Sequence, residues 1–354
     1  MTGQTLKGGL WALVRDLPLV IERVELEPLS VRYSPEFERR TTVVHLHGAG
    51  QEGVGEDVIY DPELHVLDPI ALPTGEMTLA SFSQRLAQLD LFGALTPGQP
   101  AYRRYRIWAY ESAALDLALR QAGISLHATL GRQPAPLRFV VSTRLGDPAT
   151  LDPLNKRLAI APQMRFKLDP TISWDDDFVA SLVELDVVDS VDLKGFYEGT
   201  IVDNPADPEL YRRVAEAFPA AWIEDPKLTP ATEAVLAPHM SRVTWDAPIH
   251  EVADIEALAV EPRCINVKPS RIGSLQDLFA VYEHCEARGI ACYGGGQSEL
   301  GPGRGQIQYL ASLFHPDASN DVAPSGWNMP APPADLPGSP LPPALLPVGF
   351  RWGS

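Results

Sequence analysis

From residue 164 onward, five short apolar runs end on or near an acid or a base. MRFKLD carries Arg165 and Lys167, VDSVDLKG carries Asp192 and Lys194, AAWIED ends on Glu224 and Asp225, RVTWDAP carries Asp246, and INVKPS carries Lys268. The intervals from 167 through 192, 224, 246 and 268 are 25, 32, 22 and 22 residues, so one ionisable group recurs per structural unit. Arg165 and Lys167 are two apart, as are Asp192 and Lys194, which puts each pair on one face of a strand. Three converging carboxylates repel one another and raise one another's pKa. A hard divalent ion removes that conflict, and an all-oxygen ligand set favours Mg²⁺, with Mn²⁺ as substitute, over zinc. Such an ion keeps positions for a substrate carboxylate, and lysines on opposite sides of it would remove or deliver a proton at the neighbouring carbon. That carbon is a very weak acid, so the developing enediolate needs the positive charge. The lysines need depressed pKa values to act as bases near neutrality, which nearby cationic charge provides.

These residues need a scaffold that aims strand ends at one place. From about residue 137, short strand candidates (LRFVVST, MRFKLD, VVDSVDLKG, AAWIED, RVTWDAP, RCINVKPS, IACYGGG) alternate with helical stretches such as DDDFVASLVEL and SLQDLFAVYEHCEARG. A rhythm of about 20–30 residues per unit predicts a parallel α/β sheet, and seven or eight units predict a closed barrel whose C-terminal strand ends form the active face. The open doubly wound sheet competes, but no GxGxxG follows the first strand. Before residue 125 the order is strands and then helices, an α+β unit: VIERVELEPLSVRY and TTVVHLHGAG, then SFSQRLAQLDLF and RIWAYESAALDLALRQAG. The proline-rich end, PAPPADLPGSPLPPALLPVGF, keeps Leu, Val and Phe350 among its prolines and is expected to pack back on the body. The boundaries expected are 1–125 for the α+β unit, 126–325 for the barrel and 326–354 for the extended segment.

The 354 residues are 45% apolar and 21% charged, enough to bury a sizeable core. A formal charge of −17 argues against nonspecific nucleic-acid or anionic-membrane binding, which need basic footprints. The three cysteines (Cys264, Cys285, Cys292) lack CxxC spacing and read as reduced thiols of a cytoplasmic protein. No run approaches the ~18 apolar residues of a membrane span. GGLWALV near the N-terminus is interrupted by Arg15 and Asp16 and does not read as a signal peptide. His45 and His47 alternate on one strand face without a third ligand, and the acids at 175–177 read as a helix N-terminus.

Several segments, in their order, resemble the enolase superfamily and its muconate-lactonizing-enzyme-like members, the mandelate racemase/muconate lactonizing enzyme group. GAGQEGVGED is similar to the strand–turn–GE segment of the family's capping domain, and YESAALDLALRQAGISLHATLG to the helix leading into its barrel. WIEDP, VTWDAP and INVKPSRIGSL resemble the fourth, fifth and sixth strand ends, and YGGGQSELGPG the seventh-strand loop. The resemblance implies a modified (β/α)7β TIM-type barrel with an N-terminal α+β capping domain. It implies Asp192, Glu224 and Asp246 as Mg²⁺ ligands and Lys268 as one acid/base. Lys167 is the second if Arg165-Phe166-Lys167 is the family's Lys-x-Lys pair. An alternative register pairs Lys167 with Asp169 and leaves no second lysine base. Lys194 departs from the family, which has Asn there; Arg165, Lys194 and Glu299 are candidates for substrate contact. Tyr33, Phe37, Arg39 and Arg40 are candidates for a lid. The implied activity is removal of the α-proton of a carboxylate to give a metal-stabilised enediolate, by an isomerase or lyase. Racemisation, epimerisation or cycloisomerisation would follow, with o-succinylbenzoate-synthase-like dehydration as the alternative. A non-catalytic carboxylate-binding relative is the rival from another class. The absence of His from the seventh-strand loop argues against a mandelate-racemase-type histidine base, and a homo-oligomer is implied.

Overall fold

Alternating burial along the first long strands builds the cap, and the computed structural model describes residues 8–34, 37–67, 70–200 and 202–353. The cap comprises α1 (Gly9–Val14), β1 (Pro18–Ile21), β2 (Arg23–Arg32), β3 (Glu38–Gly48), β4 (Gln51–Asp57), β5 (Gly75–Thr78), α2 (Leu79–Gln88), α3 (Tyr102–Ala122) and α4 (Leu126–Leu130). β2, β3 and β4 form an antiparallel meander whose inner face packs on α3. Gly55 permits that approach: a Cβ there would meet the Ala109 carbonyl oxygen at 2.1 Å.

The barrel follows as β6 (Val141–Thr143), α5 (Asp152–Leu158), β7 (Phe166–Leu168), α6 (Asp176–Leu185), β8 (Val188–Asp192), α7 (Pro208–Ala217), β9 (Trp222–Glu224), α8 (Pro230–Leu236), β10 (Val243–Thr244), α9 (Val252–Glu256), β11 (Cys264–Val267), α10 (Pro269–Ile272), α11 (Leu275–Arg288), β12 (Ala291–Gly294) and α12 (Pro302–Phe314). Helix starts follow capping chemistry. Asp175, Asp207, Thr229 and Ser274 each accept a backbone N–H three residues on, so the acidic run at 175–177 begins α6 as its composition suggested. β6 to β10 are hydrogen-bonded in parallel, and β11 pairs with β12. The ladder is not continuous around the ring. Isolated parallel bridges Trp245–Ile265, Gly295–Asp321 and Phe139–Asn320 make the remaining junctions, with the segment around Asn320 in the eighth position.

One apolar core runs from the cap face of α3 through the layer between barrel strands and helices. Ion pairs and backbone contacts lock the two parts together. The Glu56 carboxylate accepts N–H groups of Leu300, Gly301 and Gly303 at the start of α12, and Arg39 donates to the carbonyls of Gln297 and Ser298. The C-terminal segment returns to the cap: Asp116 on α3 accepts the Phe350 N–H and the Arg351 Nε at 2.7 Å each. Among the described residues no helix is long and apolar enough to cross a membrane.

Candidate active site

Parallel register brings the acids together. Asp192 on β8 pairs with Glu224 on β9, and Glu224 with Thr244 on β10, so the strand ends step around one face of the ring. Asp192, Glu224 and Asp225 are all at most 1% exposed, and each offers an oxygen within 4.8 Å of the others. The third carboxylate close to Asp192 and Glu224 is therefore Asp225. Asp246, expected beside them, is committed to Lys268 Nζ at 2.8 Å and to the Arg271 guanidinium. Asp225 has a left-handed backbone, φ 49°, which turns its side chain onto the next unit. Its two oxygens accept the N–H groups of Asp246 and Ala247 at 2.8 Å each, fixing the end of β10.

The lysines enter from both flanks. Lys167 on β7 lies 3.0 Å from Asp192, bonds Glu224, and is 3.8 Å from Asp321. Lys268 follows β11, and Gly295 makes room for it: a Cβ there would lie 2.6 Å from Lys268 Cε and 2.5 Å from Asn266 Oδ1. Lys194, also left-handed at φ 54°, folds back so that both its N–H (3.1 Å) and its ammonium meet the Asp192 carboxylate; Asp169 is 3.7 Å away.

Two expected substrate contacts lie elsewhere. β7 is only three residues long, so Arg165 precedes it at the N-terminal edge, opposite the strand ends that carry the acids. There it donates to Asp189 at 2.7 Å and to the Asp186 carbonyl. Of the pairs Arg165–Lys167 and Lys167–Asp169, the second is the one with partners in the acid cluster. Glu299 is 3% exposed and spent on its own loop, pairing Arg304 at 2.9 Å and accepting the Gln297 N–H at 2.6 Å. Of the lid candidates, Arg39 is buried and ties the cap to the seventh-strand loop, Arg40 pairs with Glu38, and Tyr33 and Phe37 stack at 6.0 Å. Pro35 and Glu36 between them lie outside the described residues.

Other groups escaped sequence reasoning. Tyr293, on β12, donates its hydroxyl to Glu224. Arg271 binds Asp246 and donates to Tyr197 Oη at 3.2 Å; it follows Lys268 by three residues in the four-residue helix α10, too short for a period to mark a face. Asp321, in the eighth position of the ring, lies 3.8 Å from Lys167 and carries no spacing to the other acids that marks it in the sequence. Asn266 on β11, two before Lys268, was legible by alternation: its amide lies 3.5 Å from Glu224, and its Oδ1 has no hydrogen-bond partner.

The electrostatics reflect an excess of acid. Burial, with Asp192, Asp246 and Asp225 close by, pushes Glu224 up to about 8 despite Lys167. Burial and the charges of Asp246 and Asp192 push Asp225 up to about 7. Asp192 and Asp246 lie below the usual carboxylate range: burial opposes ionisation, but Lys167 and Lys194 outweigh it at the first, Arg271 and Lys268 at the second. Burial works against the charge on Lys268, yet Asp246 carries it up to about 12. Buried, convergent, oxygen-only donors with residual negative charge suit a hard divalent cation, and the orphan Asn266 oxygen adds a neutral acceptor nearby.

Family models for the domain of unknown function DUF8230 match the chain twice, its N-terminal domain over residues 12–129 and its C-terminal domain over 133–329. No curated protein matches the sequence. Among solved structures, an enolase-superfamily protein from Listeria innocua is similar at 19% identity and TM-score 0.62, covering 87% of this chain and 86% of that one. Muconate cycloisomerase from Pseudomonas fluorescens is similar at 19% identity and TM-score 0.59, covering 86% and 87%. A dipeptide epimerase from Methylococcus capsulatus, complexed with Mg ion, is similar at 18% identity and TM-score 0.56, covering 88% of each chain. The chain thus belongs to the DUF8230 family, and its capped barrel is the fold of the enolase superfamily.

Proposed function

We propose that this protein is an enzyme that removes the α-proton of a small carboxylate substrate, with Lys268 as the proton-transfer group. The observation that carries the reading is the placement of Lys268 and Lys167 on opposite flanks of a buried cluster of acids. The fold shared with a cycloisomerase and an epimerase supports it. Asp192 and Glu224, with Asp246 or Asp225 as the third acid, would hold a divalent cation, Mg²⁺ by the hardness of the donors, Mn²⁺ as substitute. Such a cation supplies positive charge for a substrate carboxylate whose α-carbon is losing a proton.

The chain's own residues do the rest. Asp246 beside Lys268 favours its ammonium form, so the amine becomes a base only where positive charge, such as that of a bound cation, offsets Asp246. Lys167 is 1% exposed and enclosed by Asp192, Glu224 and Asp321, which favour its charged form against the opposing effect of burial. It acts as a fixed cation holding the acids in place rather than as a second base. That assignment supports chemistry with one proton-transfer lysine, cycloisomerisation or dehydration, over racemisation or epimerisation. Cytoplasmic location and a homo-oligomer remain part of the same proposal.

The test is a screen of carboxylates in D₂O for exchange at the α-carbon with Mg²⁺ present. Lys268→Ala should abolish exchange, and undiminished exchange in that variant overturns the assignment. The wild type should exchange with retention of configuration; exchange accompanied by inversion would establish a second base.

A further inference from the structure

We infer that Lys194 and Arg271 are internal counter-ions that compete with a divalent cation for Asp192 and Asp246, so that the protein's own cations set how tightly the site holds metal. This rests on the metal-binding reading above and goes beyond it in assigning a role to two residues of this chain. Lys194 is not a loop lysine waving in solvent. Its left-handed backbone folds it back onto the acid two residues before it, through both N–H and ammonium. The ammonium also has Asp169 at 3.7 Å and the Tyr197 ring at 5.4 Å. Arg271 is 5% exposed, bonded to Asp246, and steadied by Tyr197 Oη at 3.2 Å. Tyr197 therefore touches both cations and fixes their spacing.

A charge count gives the consequence. With every carboxylate ionised, as around a bound cation, the acids are Asp169, Asp192, Glu224, Asp225, Asp246 and Asp321, six in all; the cations are Lys167, Lys194, Lys268 and Arg271, four in all; the difference is two. A divalent ion would balance that difference. It would still meet Asp192 and Asp246 already engaged in charge-assisted hydrogen bonds, which must be given up before those oxygens can coordinate. Each cation so released gives up its nearest carboxylate, Lys194 keeping only Asp169 at 3.7 Å, and is suited to an anionic group of a ligand. Metal and anion then bind with positive coupling, and by linkage the effect is reciprocal.

Calorimetric titration of Mg²⁺ into the full chain tests this, with Lys194→Met, Lys194→Arg, Arg271→Met and the control Lys227→Met, an exposed lysine paired with Glu198. Lys194→Met should bind Mg²⁺ roughly tenfold more tightly than wild type, within the usual range of such couplings. Arg271→Met should gain similarly, Lys194→Arg should keep the wild-type affinity, and Lys227→Met should change little. Lys194 lies in a partly exposed turn, so its variants carry the test if Arg271→Met does not fold. Wild-type affinity in Lys194→Met overturns the inference and leaves the metal reading standing, as does an equal gain in Lys227→Met. No Mg²⁺ binding by any variant overturns both.

Discussion

Gly295 is the smallest side chain at the site and gives the sharpest test of its geometry. A methyl group there would press on Lys268 Cε and on Asn266 Oδ1. The backbone at Gly295 is not left-handed, so Ala brings no φ penalty of its own. Gly295→Ala should therefore displace the lysine and lower the exchange rate by about 100-fold, the scale of a 1 Å misplacement. Mg²⁺ affinity should stay near wild type, because the atoms nearest that Cβ belong to Asn266 and Lys268 rather than to the acids on β8 and β9. Calorimetry and exchange measured on one preparation separate these outcomes; equal loss of both would mean that the loop as a whole had shifted.

Asp225 shows how an element's end is made. Its carboxylate closes the turn after β9 by taking the N–H groups of Asp246 and Ala247, which are otherwise left without acceptors in the interior. Asp225→Ala should cost about 2–6 kcal/mol in urea unfolding, from two stranded donors at ~1–3 kcal/mol each. Asp225→Asn, which keeps one acceptor oxygen and tolerates the left-handed backbone, should lose roughly half as much. Strand alternation could not choose between Glu224 and Asp225, because the chain leaves β geometry between them. The same limit affected Arg165: Lys167 is its alternate neighbour in sequence, but the strand begins only at Phe166, so the face argument did not extend to it. By contrast, the acid-bearing ends of β8 and β9 were legible, since Asp192 and Glu224 each terminate a buried strand with no bulge between them.

Across the whole molecule, cap and barrel are joined by buried carboxyls that were invisible as such in the sequence. Glu111 on α3 accepts Ser83 Oγ at 2.6 Å and the Leu275 N–H at 2.7 Å, linking the cap to the first turn of α11. Burial lifts its carboxyl from 4.5 to about 7. The folded protein therefore binds a proton there that the unfolded chain has released. Its contribution to stability is complete below pH 4.5 and is lost as pH rises through about 7. At ~1.4 kcal/mol per pKa unit, the loss is about 3 kcal/mol. Thermal unfolding across that window should show wild type losing stability relative to Glu111→Gln, which does not titrate. A constant difference between the two at every pH would mean that Glu111 is ionised throughout.

The alternation of strand and helix after residue 137, the capping residues that start the helices, and one acid or base per unit are local properties, each fixed by a few neighbouring side chains. They were enough for the barrel, its cap and the identity of most of the polar cluster. The partners of those groups were not local. Whether Asp225 or Asp246 stands beside Asp192 and Glu224 depends on the turn after β9, on Arg271 reaching back from another unit, and on Lys194 folding onto its own strand end. Such pairings are set by the closure of the ring, which brings residues far apart in sequence within reach of one another, Lys167 and Asp321 across 154 positions and Lys194 and Arg271 around Tyr197 among them. Buried charge makes the choice of partner energetically decisive, and only the tertiary structure supplies the distances that decide it.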